Sequence, residues 1–213
     1  MSTTDRRTLI VEAAIDLIAG QGIRALTHRA LDTALDLPAG SASYYFRTKR
    51  ALIEAITDRI TERSRADFLT AQAAADPAQH LGYPARTTHG ATAIDPTDIA
   101  RAIATWLDRL LTDRRNHLIV RHALLIDLLA DPDLHPRLAH SLFSVERARN
   151  LFHALGFADP AAAAADFVAI IEGAVFDRFA GARTQLPTGT PESIDQLTAL
   201  LSTYLLSNQP RST

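Results

Sequence analysis

Apolar residues recur at three- and four-residue steps along most of the chain, and no segment alternates polar and apolar positions long enough to predict a strand. Residues 5–19 carry Leu9, Ile10, Ala13, Ala14, Leu17 and Ile18 on one stripe, and Gly20 and Gly22 then end the helix. Thr27 is a suitable N-cap for a short helix to residue 35. Asp36 follows, a residue type that tolerates the left-handed backbone of a tight turn. Pro38 opens a second short helix bearing Ser41, Ser43, Tyr44 and Tyr45. Thr48 caps a long helix, to about residue 74, in which Leu52, Ile53, Ala55, Ile56 and Ile60 repeat. The same period returns over 97–111, 113–130, 133–155, 160–180 and 191–206, with Pro160 and Pro191 where a first-turn proline is tolerated. Residues 76–96 break the pattern with three prolines, two glycines and two histidines, and read as a mobile or disordered loop. The expectation is an all-α protein of about nine helices.

Composition narrows this only a little. With 47% hydrophobic and 22% charged residues the chain has the means to bury a core. Cysteine is absent, which excludes disulfides and thiol chemistry. No uncharged apolar run approaches the roughly 18 to 20 residues of a membrane span. The first apolar stretch, 9–18, is interrupted by Glu12 and Asp16 and does not read as a signal peptide, so the expected location is cytoplasmic. The net charge is -2, yet residues 1–65 hold ten Lys/Arg against eight Asp/Glu. A basic head on an acidic body suits a protein that meets DNA at one end. The sole lysine of the chain, Lys49, lies in that head.

Two short helices joined by a tight turn, with a helix on either side, describe a helix-turn-helix bundle. Leu26, Leu31, Leu35, Leu37 and Phe46 can form its inner face. Ala39, Gly40, Ser41, Ser43 and Tyr44 can form an outer face small enough to approach the major-groove floor, with hydroxyls and a ring to reach base edges. The stretch Gly22-Ile23-Arg24-Ala25-Leu26-Thr27-His28-Arg29, followed by Gly40-Ser41-Ala42-Ser43-Tyr44-Tyr45-Phe46-Arg47-Thr48-Lys49-Arg50-Ala51-Leu52, resembles the tetracycline-repressor (TetR) family. The close resemblance spans about residues 5–60. It implies a DNA-binding domain over 1–47 and a ligand-binding and dimerisation domain over 48–213. It further implies DNA contacts from Thr27, His28, Arg29, Ala39, Gly40, Ser41, Ser43, Tyr44, Tyr45 and Lys49, the last at a helix N-terminus that favours phosphate. Ser43, Ala42 and Asp36 depart from the family's usual tyrosine, larger apolar residue and turn glycine.

For the remaining chain the expectations concern a small-molecule effector and a second copy of the chain. Trp106, Leu110, His117, Arg121, His122, Phe143 and Phe152 are candidates to line a cavity between the middle helices. Phe167, Ile170, Ile171, Gly173, Ala174, Ile194, Leu197, Leu201 and Tyr204 make apolar faces for a homodimer. Such a dimer would present two recognition helices roughly 34–36 Å apart to a pseudo-palindromic operator on double-stranded DNA. His117 and His122, like His135 and His140, stand five residues apart and so point about 140° away from one another on a helix, the wrong geometry for a metal. No nucleophile elbow, phosphate loop or dinucleotide fingerprint occurs, so neither an enzyme nor a cofactor is expected. The reading is a ligand-released repressor; an activator of the same family, or a ligand-binding dimer without DNA binding, is the alternative.

Overall fold

The computed structural model describes residues 3–74 and 95–207. Ten α-helices and one 3-10 turn account for the described residues, without strands. They are α1 (Thr3–Gln21), the turn Ile23–Ala25, α2 (His28–Ala34), α3 (Ser41–Tyr45), α4 (Lys49–Ala74) and α5 (Pro96–Asp113). There follow α6 (Arg115–Asp127), α7 (Leu134–Ala139), α8 (Val145–Ala154), α9 (Pro160–Ala180) and α10 (Pro191–Ser207). None of these helices is long and apolar enough to cross a membrane. Of the loop expected at 76–96, residues 76–94 lie outside the described residues; Asp95 and Pro96 already belong to α5, Asp95 as its N-cap.

The chain forms two compact units: Met1–Ala66 with Asn116–Leu142, and Asp67–Arg115 with Phe143–Thr213. These units do not coincide with the division expected at residue 47. The reason is the first unit's core, in which Ile10, Ile15 and Ile18 of α1, Leu31 of α2, Phe46 and Ile56 pack with Val120 and Leu124 of α6 and Leu138 of α7. A head of one long and two short helices has too little interior of its own, and α4, α6 and α7 supply the rest. In α1 the buried stripe is turned from the expected one: Val11 and Ile15 are buried and Leu9 is exposed.

Local chemistry sets the helix ends. Thr27 accepts a hydrogen bond from the Ala30 amide at 3.1 Å and Thr48 one from Ala51 at 3.1 Å, as their N-cap positions require. Asp36 adopts φ 50°, the left-handed turn conformation expected of it. The single helix expected over 133–155 is instead two. Arg121 of α6, 1% exposed, donates Nε–H to the Leu138 carbonyl at 3.1 Å and to Ser141 Oγ at 2.9 Å, and Nη2–H to the Ala139 carbonyl at 3.1 Å. These bonds satisfy the carbonyls that a continuing helix would have used. Ser144 then caps α8, its Oγ accepting from the Arg147 amide at 3.3 Å.

The second unit is built of α5 against α10 and α8 against α9, around Leu107, Leu111, Phe152, Phe167, Ile171, Leu197 and Leu201. Three polar residues sit inside it: Asp108, Arg178 and Ser193 are 3%, 2% and 0% exposed. The Ser193 hydroxyl donates to Asp108 at 2.5 Å, Arg178 donates to Ser193 Oγ at 2.7 Å and to the Leu186 carbonyl at 3.2 Å, and the Gly189 amide donates to the Asp108 carboxylate at 3.0 Å. Burial pulls the Arg178 guanidinium below its ordinary range, and the charge of Asp108 pushes it back up.

Candidate nucleic-acid interface

A five-residue helix does not hold itself together in water, so α3 must be held from outside. Two charged residues do so, one at each end. At the N-terminus the Asp32 carboxylate, only 6% exposed, accepts from the Gly40 and Ala42 amides, each at 2.7 Å. At the C-terminus Arg7 donates Nη1–H to the Tyr45 carbonyl at 2.7 Å while its guanidinium stacks over the Phe46 ring, 4.3 Å from the centroid. The negative charge meets the positive end of the helix and the positive charge the negative end. Gly40, at φ 89°, turns the chain into α3 through backbone that a side chain would strain. Ala42 and Phe46 anchor the inner side, 0% and 1% exposed.

The residues named as DNA contacts lie around this clamp with different exposures. Tyr44 stands 80% exposed, its ring edge-on to Tyr45 at 5.2 Å. Tyr45 itself is half-buried against the core. Thr27, Arg29, Ala39, Gly40 and Lys49 are exposed, and His28, Ser41 and Ser43 are half-buried. Ser41 and Ser43 donate their hydroxyls inward, to the Pro38 carbonyl at 2.6 Å and the Gly40 carbonyl at 2.8 Å, and so offer acceptors rather than donors to a partner. His28, Arg29, Ala39 and Gly40 share a groove of about 590 Å³ with Asp32, Thr33, Asp36 and Leu37. Arg50 is engaged elsewhere: it pairs with Asp131, and that hydrogen bond raises the guanidinium's pKa and holds the Asp131 carboxyl below the usual aspartate range.

Sequence reasoning missed Asp32 and Arg7. Asp32 follows Leu31 on the inner side of α2, and a carboxylate at an otherwise apolar position was the signal available for it.

The residues expected to line one cavity fall into both units. In the first unit Arg121 bonds the end of α7 as described above. There too His117 contacts Glu12 at 3.3 Å, and the His122 ring nitrogen Nδ1 meets the Leu118 carbonyl at 2.8 Å. In the second unit Trp106, Phe143 and Phe152 join an aromatic series: Trp106 to Phe143 at 5.9 Å, Phe143 to Phe167 at 6.4 Å and Phe167 to Phe152 at 5.4 Å. Leu110 is 7% exposed beside them in sequence, on α5.

The residues expected at the dimer faces differ in exposure. Phe167, Ile171, Leu197 and Leu201 are 0% exposed within a single protomer and serve its own core, as does Ala174 at 7%. Tyr204 is half-buried, its hydroxyl donating to the Ala163 carbonyl at 3.2 Å. Burial pushes that phenol's pKa up. Ile170 and Ile194 are half-buried, and Gly173 is exposed. The open faces of α9 and α10 carry Ala165, Ala169, Gly173 and Phe176, and Ala199, Leu200, Thr203 and Leu206. Among these Phe176, Leu200 and Leu206 are 47%, 38% and 53% exposed.

A helix-turn-helix with its second helix clamped and its outer face open is the DNA-binding domain of a transcription regulator. Residues 10–56 match the bacterial regulatory proteins of the tetR family, and residues 95–205 match the tetracyclin repressor-like C-terminal domain. The chain belongs to the tetR family, whose members are regulators and not enzymes.

Solved structures agree with this assignment. The multidrug binding protein EbrR, crystallised with imidazole, is 25% identical over 92% of this chain and 94% of its own, with a TM-score of 0.55. A member of the TetR family from Streptomyces coelicolor A3 is 24% identical, with 92% and 97% covered and a TM-score of 0.62. A transcriptional regulator from Rhodococcus sp. Rha1 shares the fold at 17% identity, with 97% and 99% covered and a TM-score of 0.65. No curated protein gives a significant match.

Proposed function

We propose that the chain is a dimeric, ligand-released repressor that binds a pseudo-palindromic operator through α3 and its surroundings. The observation that carries this reading is Tyr44: a large ring 80% exposed on a short helix that two buried or stacked charges hold in place. A side chain that exposed adds nothing to the core, and the clamp around it suits a surface that must keep its shape. Tyr44, Gly40, Ala39 and the outward oxygens of Ser41 and Ser43 meet base edges. Arg29, Thr27, Tyr45 and Lys49 meet phosphates, and His28 borders the groove between the two sets.

Two copies join through the open faces of α9 and α10, with Gly173 allowing close approach and Phe176, Leu200 and Leu206 supplying apolar area. The effector binds in the second unit, next to its aromatic series. EbrR, a multidrug binding protein, supports a sensor of small organic molecules in this family. The ligand acts by favouring a spacing of the two heads that the operator does not accept, and its leverage equals its differential affinity for the two arrangements. The absence of a membrane-spanning helix among the described residues is compatible with a cytoplasmic regulator. The test is an equilibrium titration of a duplex bearing the selected operator, with and without saturating effector. A release of tenfold or more is expected, and identical affinities with a tightly bound ligand would overturn the coupling.

A further inference from the structure

Three half-buried rings of the second unit meet, Phe68 of α4 and Trp106 of α5 edge to face at 6.5 Å and 79°, Trp106 and Phe143 tilted at 5.9 Å and 60°. Two features of this group bear on a ligand. The Trp106 indole Nε1–H is sealed from solvent and has no hydrogen-bond acceptor among the described residues. A buried donor without a partner is rare in folded proteins, and an absent ligand or water is one of its few explanations. The second feature is Arg147, whose exposed guanidinium lies over the Phe68 ring, 3.6 Å from its centroid.

The charges around the rings are unbalanced. Asp67, next to Phe68, is held by Arg114 in a two-pronged pair at 2.9 and 3.1 Å. Glu146, next to Arg147, is held by Arg149 at 2.5 Å. Arg147 has no ion pair among the described residues, so its charge faces outward with its fork of donors uncommitted. Aromatic walls, one unsatisfied N–H and one unpaired guanidinium, with both neighbouring acids already neutralised, define a preference for a flat, apolar and negatively charged molecule.

We propose that this site takes a planar aromatic carboxylate, its ring against Phe68 and Phe143, its carboxylate on Arg147, and an acceptor oxygen at the Trp106 N–H. The proposal rests on the reading of the second unit as the effector domain and supplies its ligand class. A cationic aromatic is disfavoured, because it would face Arg147 with no free acid to offset it.

The experiment is calorimetric titration of the full chain with 2-naphthoate, its neutral counterpart 2-naphthamide, and the cation ethidium. Trp106 is the only tryptophan, so its emission reports in parallel whether the probe reaches the rings. The acid is expected to bind at least about tenfold more tightly than the amide, in line with a charge-assisted hydrogen bond, and ethidium more weakly than either. Arg147→Gln should bring the acid down to the amide's affinity and leave the amide unchanged, and Arg147→Lys should restore part of the difference. Arg147 is exposed, so both variants should fold, which circular dichroism checks. Equal affinities for acid and amide, an unaltered preference in Arg147→Gln, tighter binding of ethidium, or no saturable binding of the acid would each overturn the proposal. If the acid binds with this ratio but the protein selects no DNA sequence, the repressor reading fails and the ligand class stands.

Discussion

Two buried carboxylates, one in each unit, hold backbone amides of a following segment, and their surroundings give them different work. Asp32 in the first unit accepts, among the described residues, only amide hydrogens, those of Gly40 and Ala42, and its charge is met by the end of α3. Asp108 in the second unit accepts the Gly189 amide and the Ser193 hydroxyl, and it offsets the buried guanidinium of Arg178. The first arrangement fixes a small helix whose other side is exposed. The second ties the exposed segment between α9 and α10, through the Gly189 amide, to a buried carboxylate. A carboxylate aimed at a helix end therefore marks a surface being positioned, whereas one tied to a cation through a hydroxyl marks a core being fastened.

Substitutions separate the two roles. The largest effect is expected from Asp108→Ala, which leaves the buried Arg178 charge without its facing carboxylate. A loss of about 3–5 kcal/mol of stability should appear in chemical denaturation, with DNA affinity per folded molecule unchanged. Asp32→Asn should act on both: replacing an acceptor by an NH2 group facing a backbone amide costs about 2 kcal/mol, read both as stability and as operator affinity. If Asp32→Asn lost stability but kept full operator affinity, α3 would not depend on its clamp. Tyr44→Ala should leave stability within about 0.5 kcal/mol yet lose about 1–3 kcal/mol of discrimination between operator and scrambled duplex. Lys49→Ala should weaken both duplexes alike and make the salt dependence shallower by about one unit of slope.

The smallest effect concerns pH. Asp131 is held below the usual aspartate range chiefly by its hydrogen bond from Arg50, with help from the Leu134 amide. A depressed carboxyl stabilises the folded state above its unfolded pKa of about 4, and that contribution is lost as pH falls through the lower folded value. Melting temperature should therefore drop on acidification below about pH 4, and Asp131→Asn should flatten that part of the curve.

Local signals carried well from sequence to structure. Thr27 and Thr48 cap their helices because a cap is decided within three residues, and Asp36 takes its left-handed turn for an equally local reason. The clamp on α3 was less legible, because Arg7 reaches Tyr45 from 38 residues away. The break between α7 and α8 was hidden for the same reason: the agent is Arg121, on a different helix. In α9 the helical period could not distinguish the inward from the outward side, since Phe167 and Ile171 are as apolar as Phe176 and only packing assigns them to core and surface. The expected pocket mixed two units because Trp106 and Arg121 are close in sequence while the boundary between the units falls between Arg115 and Asn116.

The central claim is that the clamped α3 surface reads DNA sequence as part of a two-fold dimer. Selection of bound duplexes from a random library by the purified protein, followed by a salt titration of the best site, tests it most directly. A two-fold symmetric motif with half-sites about one helical turn apart, lost in Tyr44→Ala, is the predicted result. Binding that responds to salt but not to sequence, or a motif unchanged in Tyr44→Ala, would contradict it.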